Sequence, residues 1–229
     1  LSFEEDEEEY IKKLHTIVNS GIEHSAFTFA GYYADKLKEE DANNYETQLS
    51  LLKIEYKTKD EAEVFRCIDR EKAYQQFEDV LSELEPKSAA RWLRACFSEI
   101  AELLEKGVYA GALRWIEICA KYQFAGRKEL LGSLLSICIN SASMRSSECF
   151  DAILTYVADG DASVYAGKAK TFADTALKAK EFDAAKLYYG KILSVKPDCV
   201  VAAQGKFFAD IRCANEKELP FALVNLTDW

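Results

Sequence analysis

The sequence predicts an all-α protein of roughly 11 to 13 helices. Three observations carry this. The 229 residues include only 3 Pro and 10 Gly, too few for a turn-rich β-sandwich or a flexible, low-complexity chain. Apolar residues return at helical spacing along most of the chain, the mark of amphipathic helices. Connections of only a few residues separate these runs, which makes consecutive helices antiparallel neighbours. No alternating run is bounded by a tight-turn pair such as Asn-Gly, so no strand is expected.

The elements follow in order. Glu4 to Asn19 forms a first helix with Tyr10, Ile11, Leu14 and Val18 on one face. Its opening acids, Glu4 to Glu9, suit the positive end of the helix dipole. A second helix covers Ile22 to Glu39, a third Ala42 to Lys57, and a fourth Asp60 to Leu84 with a break near Asp69; Pro86 closes the series. Beyond it the expected helices are 88–106, 109–124, 128–141, 146–158, 163–179, 182–195 and 198–214. Cap-then-Glu spacing occurs at Ser2/Glu5, Ser20/Glu23, Thr58/Glu61 and Asn215/Glu218. There the first side chain accepts from an orphan amide and the Glu reaches back to another. Asp159-Gly160-Asp161 reads as the stop of one helix and the cap of the next. Two parts result: an N-terminal helical segment, 1–86, packed on a regular part, 87–229.

The bulk composition narrows the function classes. Apolar residues make up 49% and charged residues 30%, an ordinary globular balance. With 29 Lys+Arg against 39 Asp+Glu the net charge is −10. Basic residues are scattered among acids, so neither nucleic acid nor an anionic membrane surface is an expected partner. No apolar run approaches the roughly 18 residues of a membrane span, and no signal peptide opens the chain. Seven cysteines, odd in number and never spaced CxxC, read as reduced, mostly buried thiols in a reducing, cytoplasmic compartment. Asn225-Leu226-Thr227 matches a glycosylation acceptor by chance on this view. Met144 is the only methionine and Leu1 comes first. The expectation is a processed or trimmed piece, with room for an anchor or further domain upstream.

An internal repeat organises the second part. The segment 169–197 and the segment 96–122 can be laid over each other at an offset of 73, since 169 − 96 = 73. Cys96 then meets Ala169, Ile100 meets Ala173, Leu103 meets Ala176, Tyr109 meets Phe182, Ala112 meets Ala185, Ile116 meets Tyr189 and Cys119 meets Ile192. The offset is about twice the length of a helix-pair repeat. Small residues at fixed places let helices approach, with a bulky side chain filling the groove opposite. The segment AGKAKTFADTALKAKEFDAAKLYYGKILSVKP, 166–197, carries Phe172-Ala173 on its first helix, Ala185, Tyr189 and Ile192 on its second, and a closing Pro197. On these residues the chain resembles the tetratricopeptide repeat family, best over 163–214 and less well over 88–158. It is similar to segments of uncharacterised bacterial TPR-like proteins, some of which carry a zinc ribbon; no ribbon is present here. Ala169 and Ala176 stand where the family often has Trp and Tyr. The resemblance implies a TPR-like α-solenoid of antiparallel helical hairpins; a compact helical bundle is the alternative.

The chemistry of sites is sparse. GxGxxG, GxxxxGK[ST], HExxH and GxSxG are absent from the sequence. The two histidines, His15 and His24, fall on different expected helices, and no partners point to them. Acid pairs are unavoidable among 39 acids and signal nothing. No catalytic residue, cofactor or metal is expected. Trp92 and Trp115 are expected in the core; Trp229 is not placed. The resemblance implies a concave wall made by the first helix of each pair, and in that frame Arg94, Lys170, Asp174, Gln204, Phe208 and Arg212 face it. Asp174 stands where the family's carboxylate clamp has Asn, which argues against that clamp. The expected function is a non-enzymatic scaffold or adaptor that binds a protein or peptide segment in this groove. Two alternatives remain: a structural spacer or homo-oligomerisation domain of a larger protein, with a membrane anchor elsewhere in it or without one, and a helical enzyme with an acidic, Tyr-lined pocket.

Overall fold

The computed structural model describes residues 3–220, with side chains from residue 7 onward. The expected cap at Ser2, the acceptor pattern at Asn225 and Trp229 lie outside the described residues. Among them are twelve α-helices and no strand, so the fold is all-α. They divide into two compact units, 1–99 and 100–229, a division that falls inside one long helix.

The first unit holds α1 (Phe3–Glu23), α2 (Phe27–Asp41), α3 (Tyr45–Glu55), α4 (Glu61–Glu71), α5 (Tyr74–Glu83) and the start of α6 (Pro86–Glu105). Leu14, Val18 and Ile22 of α1 bury against Ala30, Ala34 and Leu37 of α2. The two helices touch where both are small: a Cβ added at Gly21 would lie 2.9 Å from the Ala30 Cβ. A second cluster gathers around Trp92 of α6, whose ring lies 4.8 Å from Phe65, 5.4 Å from Phe77 and 5.9 Å from Tyr45.

The second unit contains α7 (Tyr109–Cys119), α8 (Arg127–Asn140), α9 (Ser147–Ala158), α10 (Ala162–Lys178), α11 (Phe182–Val195) and α12 (Val200–Asp210). Hairpin partners pack together in α8/α9 and α10/α11, and α12 lies against α11. Helix α10 also touches α8 and α12, and α7 touches α9. Phe150, Phe172 and Tyr188 join α9, α10 and α11 with ring centroids 4.4 to 5.2 Å apart. The Tyr188 hydroxyl donates to the Ser147 carbonyl at 2.8 Å.

Some expected boundaries shift, each for a local reason. Ser20/Glu23 does not open a helix, because α1 runs on through both. The second helix starts instead at Phe27, after Ser25 takes φ +59°. The break expected near Asp69 in the fourth helix falls three residues later, at Lys72, with φ +57°, and divides it into α4 and α5. Pro86 opens α6 rather than only closing what precedes it, which suits a residue with no amide hydrogen to leave unpaired. Helix α7 stops at Cys119, where the Arg127 guanidinium takes the Ala120 carbonyl with an Nε–O distance of 2.9 Å. Asp60, not Thr58, caps α4. At the other two sites the expected chemistry is present. Asp159 and Gly160 are left-handed, and Asp161 accepts from the Ser163 and Val164 amides. Asn215 accepts from the Lys217 amide while Glu218 accepts from that of Ala214.

Six helices among the described residues end in one way. At Ser25, Lys57, Lys72, Gly107, Lys180 and Arg212 the backbone turns left-handed. Paired amides then close on the last turn, as Lys180 N to Leu177 O (3.1 Å) and Glu181 N to Ala176 O (2.9 Å) show. This is the Schellman arrangement, usually made by Gly. Five of the six positions carry a side chain that disfavours it, although a cation there meets the negative end of the helix dipole. Lys180→Gly is expected to raise stability by about 1 kcal/mol by removing the Cβ clash; a urea titration reads the change.

The offset of 73 reappears in these endings. Helices α6 and α10 stop at Glu105 and Lys178, the left-handed residues are Gly107 and Lys180, and α7 and α11 start at Tyr109 and Phe182. Each difference is 73 (178 − 105, 180 − 107, 182 − 109). Of the seven aligned pairs, only Leu103/Ala176 differs in burial, Leu103 being half-buried. Ala112 and Ala185 are both fully buried. Ala185→Leu is expected to overpack this contact and cost about 1–3 kcal/mol, read as a lowered melting temperature.

No helix among the described residues is long and apolar enough to cross a membrane. All seven cysteines are thiols and six are buried. Burial pushes the Cys138 thiol up to about 12 and Cys149 to about 11, which keeps both protonated and unreactive.

Candidate functional site

The expected wall residues of the second unit lie on α10, on α12 and just beyond α12. The Asp161 cap sets the start of α10, and its buried stripe, Ala166, Ala169, Phe172, Ala173 and Ala176, turns one face inward. Lys170 and Asp174, four apart on the flank of that stripe, are half-buried. They pair with Nζ–Oδ2 at 2.6 Å. The other oxygen of Asp174 accepts from the Tyr189 hydroxyl of α11 at 2.7 Å. Burial first, then the Asp174 carboxylate, holds that hydroxyl far above its ordinary value, so it stays a donor.

Tyr189 in turn rests flat on α12. A Cβ at Gly205 would lie 2.3 Å from the Tyr189 ring, closer than any side chain tolerates, so the ring occupies the space that only glycine leaves. Asp174, Tyr189 and Gly205 thus lock three successive helices together. Lys186 to Asp210 at 2.6 Å adds a tie between α11 and α12.

The remaining wall residues do different things. Gln204 is exposed, its Nε2 donating to Glu216 at 3.2 Å. Phe208 is half-buried with its ring 6.0 Å from the exposed Phe207. Arg212 is exposed at the left-handed end of α12. Arg94 is exposed on the part of α6 that belongs to the first unit. The structure therefore joins Lys170 to Asp174, leaves Gln204, Phe208 and Arg212 along α12, and puts Arg94 in the other unit. Both Asp174 oxygens are occupied within the chain, so the carboxylate acts first as a structural tie. The groups left to meet a partner are the Gln204 amide oxygen, the Phe207/Phe208 surface and the Arg212 guanidinium.

The histidines do not converge. His15 Nε2 lies 3.3 Å from Asp41 Oδ2, linking α1 to the end of α2, and His24 Nδ1 donates to the Ser20 carbonyl at 2.8 Å. Among the described residues no three His, Cys, Asp or Glu side chains stand close enough to hold a metal ion.

Three clefts went unremarked in the sequence. One, of about 280 Å³, is bounded by Phe124, Arg127 and Tyr156, but its guanidinium is committed to the Ala120 carbonyl. A shallow one lies beside Tyr109, Arg145 and Glu148. The third is in the first unit, between α2, α3 and α5. No local signal could have found it, because its residues come from three separated segments.

Comparison with protein-family models, curated proteins and solved structures finds no match to this chain.

Proposed function

We propose that this chain is a non-enzymatic scaffold of TPR-like helix pairs that binds a protein or peptide segment along α10 to α12, in a reducing, cytoplasmic setting. The observation that carries the reading is the interlock of Asp174, Tyr189 and Gly205. It keeps three successive helices in register and leaves a polar and aromatic strip on α12 facing outward. Stacked helix pairs generate extended binding surfaces of this kind without catalytic groups. The repeat of helix ends at an offset of 73 supports the same reading.

A peptide library titrated over the chain by fluorescence anisotropy tests it, repeated with Lys170→Glu/Arg212→Glu. Unchanged binding in the double variant rejects the groove. Arg212→Glu alone separates recognition from packing, since Lys170→Glu also sets a second negative charge beside Asp174.

The exposed apolar side chains of α12, Val200, Val201 and Phe207, favour a second reading, a homo-oligomerisation or spacer role. Light scattering on the chain and on Val201→Glu/Phe207→Glu distinguishes the two. A dimer that dissociates in the variant favours self-association, and a monomer in both leaves the peptide groove.

A further inference from the structure

The cleft of the first unit has an apolar floor and a rim on which acids outnumber cations. Leu51 and Ile54 of α3 with Val80 of α5 form the floor, and the space is about 400 Å³. Asp35 on α2, Glu55 on α3, and Asp79 and Glu83 on α5 stand around it, all exposed. Lys38 is the one cation that lines it.

These four carboxylates differ from others in the same unit. Asp41, Glu46 and Glu63 each have a cationic partner, in His15 (when protonated), Arg91 and the Arg66/Arg70 pair. Among the described residues, none of the four rim acids lies within ion-pair distance of a cation. Neutral amides hold three of them instead. Gln48 Nε2 donates to Glu83 at 3.0 Å, Gln76 Nε2 to Glu55 at 2.6 Å, and Gln75 Nε2 to Asp79 at 2.9 Å. Gln48 is itself buried and anchored to the Ala42 carbonyl at 2.7 Å. Amide donors orient a carboxylate without cancelling its charge. The rim is therefore ordered and uncompensated.

We propose that this cleft receives a basic amphipathic helix of a partner protein. Apolar side chains of that helix fill the floor, and Lys or Arg on its two flanks meet Asp35 on one wall and Asp79 and Glu83 on the other. Asp79 and Glu83 are four residues apart on α5, so they face two successive turns of a helix laid alongside. Other occupants fit the charge poorly. A second copy of the chain carries −10 and is repelled, nucleic acid likewise, and the acids are too dispersed to hold a divalent ion. The site shares no residue with the α10–α12 surface, so either reading can fail alone.

The test uses the whole chain and a fluorescein-labelled synthetic helix, Leu at i, i+4 spacing with Lys on both flanks. Saturable binding is expected. Asp79→Lys/Glu83→Lys is expected to weaken it about tenfold or more, whereas Glu39→Lys/Glu40→Lys, the same change in net charge outside the cleft, leaves it within about twofold. A peptide with Glu for Lys is expected not to bind. Absence of saturable binding, equal losses in the two double variants, or equal binding of the acidic peptide overturns the proposal. If circular dichroism shows that Asp79→Lys/Glu83→Lys is unfolded, Asp35→Lys replaces it. Unchanged peptide binding in that variant overturns the proposal as well.

Discussion

Replacing Tyr189 by alanine is expected to cost about 3–5 kcal/mol of unfolding free energy. The ring is nearly fully buried, and its removal leaves a cavity against the face of Gly205 and strips Asp174 of a hydrogen bond. Gly205→Ala attacks the same contact from the other side. Its methyl would lie 2.3 Å from the ring, so α12 or Tyr189 must move, at about 1–3 kcal/mol. A double-mutant cycle makes the prediction specific. Once the ring is gone the added methyl has room, so Gly205→Ala in the Tyr189→Ala background is expected to be close to neutral. The coupling between the sites then nearly equals the single cost of Gly205→Ala. Urea unfolding of the four proteins measures it, and additive losses would show that α11 and α12 do not meet through this pair.

The second large effect is at Trp92. Its indole is fully buried, ringed by Tyr45, Phe65 and Phe77. Trp92→Ala is expected to cost about 3–5 kcal/mol and to lower the melting temperature of the first unit. Trp92→Phe is expected to cost much less. The indole Nε1 is buried and finds no acceptor among the described residues, so deleting the N–H relieves a desolvation penalty that partly offsets the lost volume. Equal melting temperatures for the two variants would show that the ring retained in Trp92→Phe recovers none of the packing there.

Particular residues mark how much of this was legible. Asp159-Gly160-Asp161 and Asn215/Glu218 could be read directly, because caps act through groups two to four residues away. The offset of 73 was legible because small and large residues recur where helices must touch. Ser25 was not legible as a stop, and the break near Asp69 was legible only to within three residues of Lys72. Nothing local distinguishes a left-handed Ser or Lys from an ordinary helical one; the packing on either side imposes the turn. The family resemblance singled out Lys170 and Asp174, but not their joint engagement with Tyr189, which requires α11 to be in place. Nothing in the linear sequence ties Gly205, a glycine inside α12, to the Tyr189 ring that lies against it. The acidic cleft had no linear trace at all, since Asp35, Glu55, Asp79 and Glu83 are spread across three helices.

By itself the sequence determined the helical class, the order of most helices and the repeated spacing of their ends, since periodicity, caps and short connections act over a few residues. Tertiary structure alone decided that Ser25 turns left-handed, which carboxylates are tied up within the chain and which stay uncompensated. Those outcomes depend on atoms that meet only after distant helices have packed.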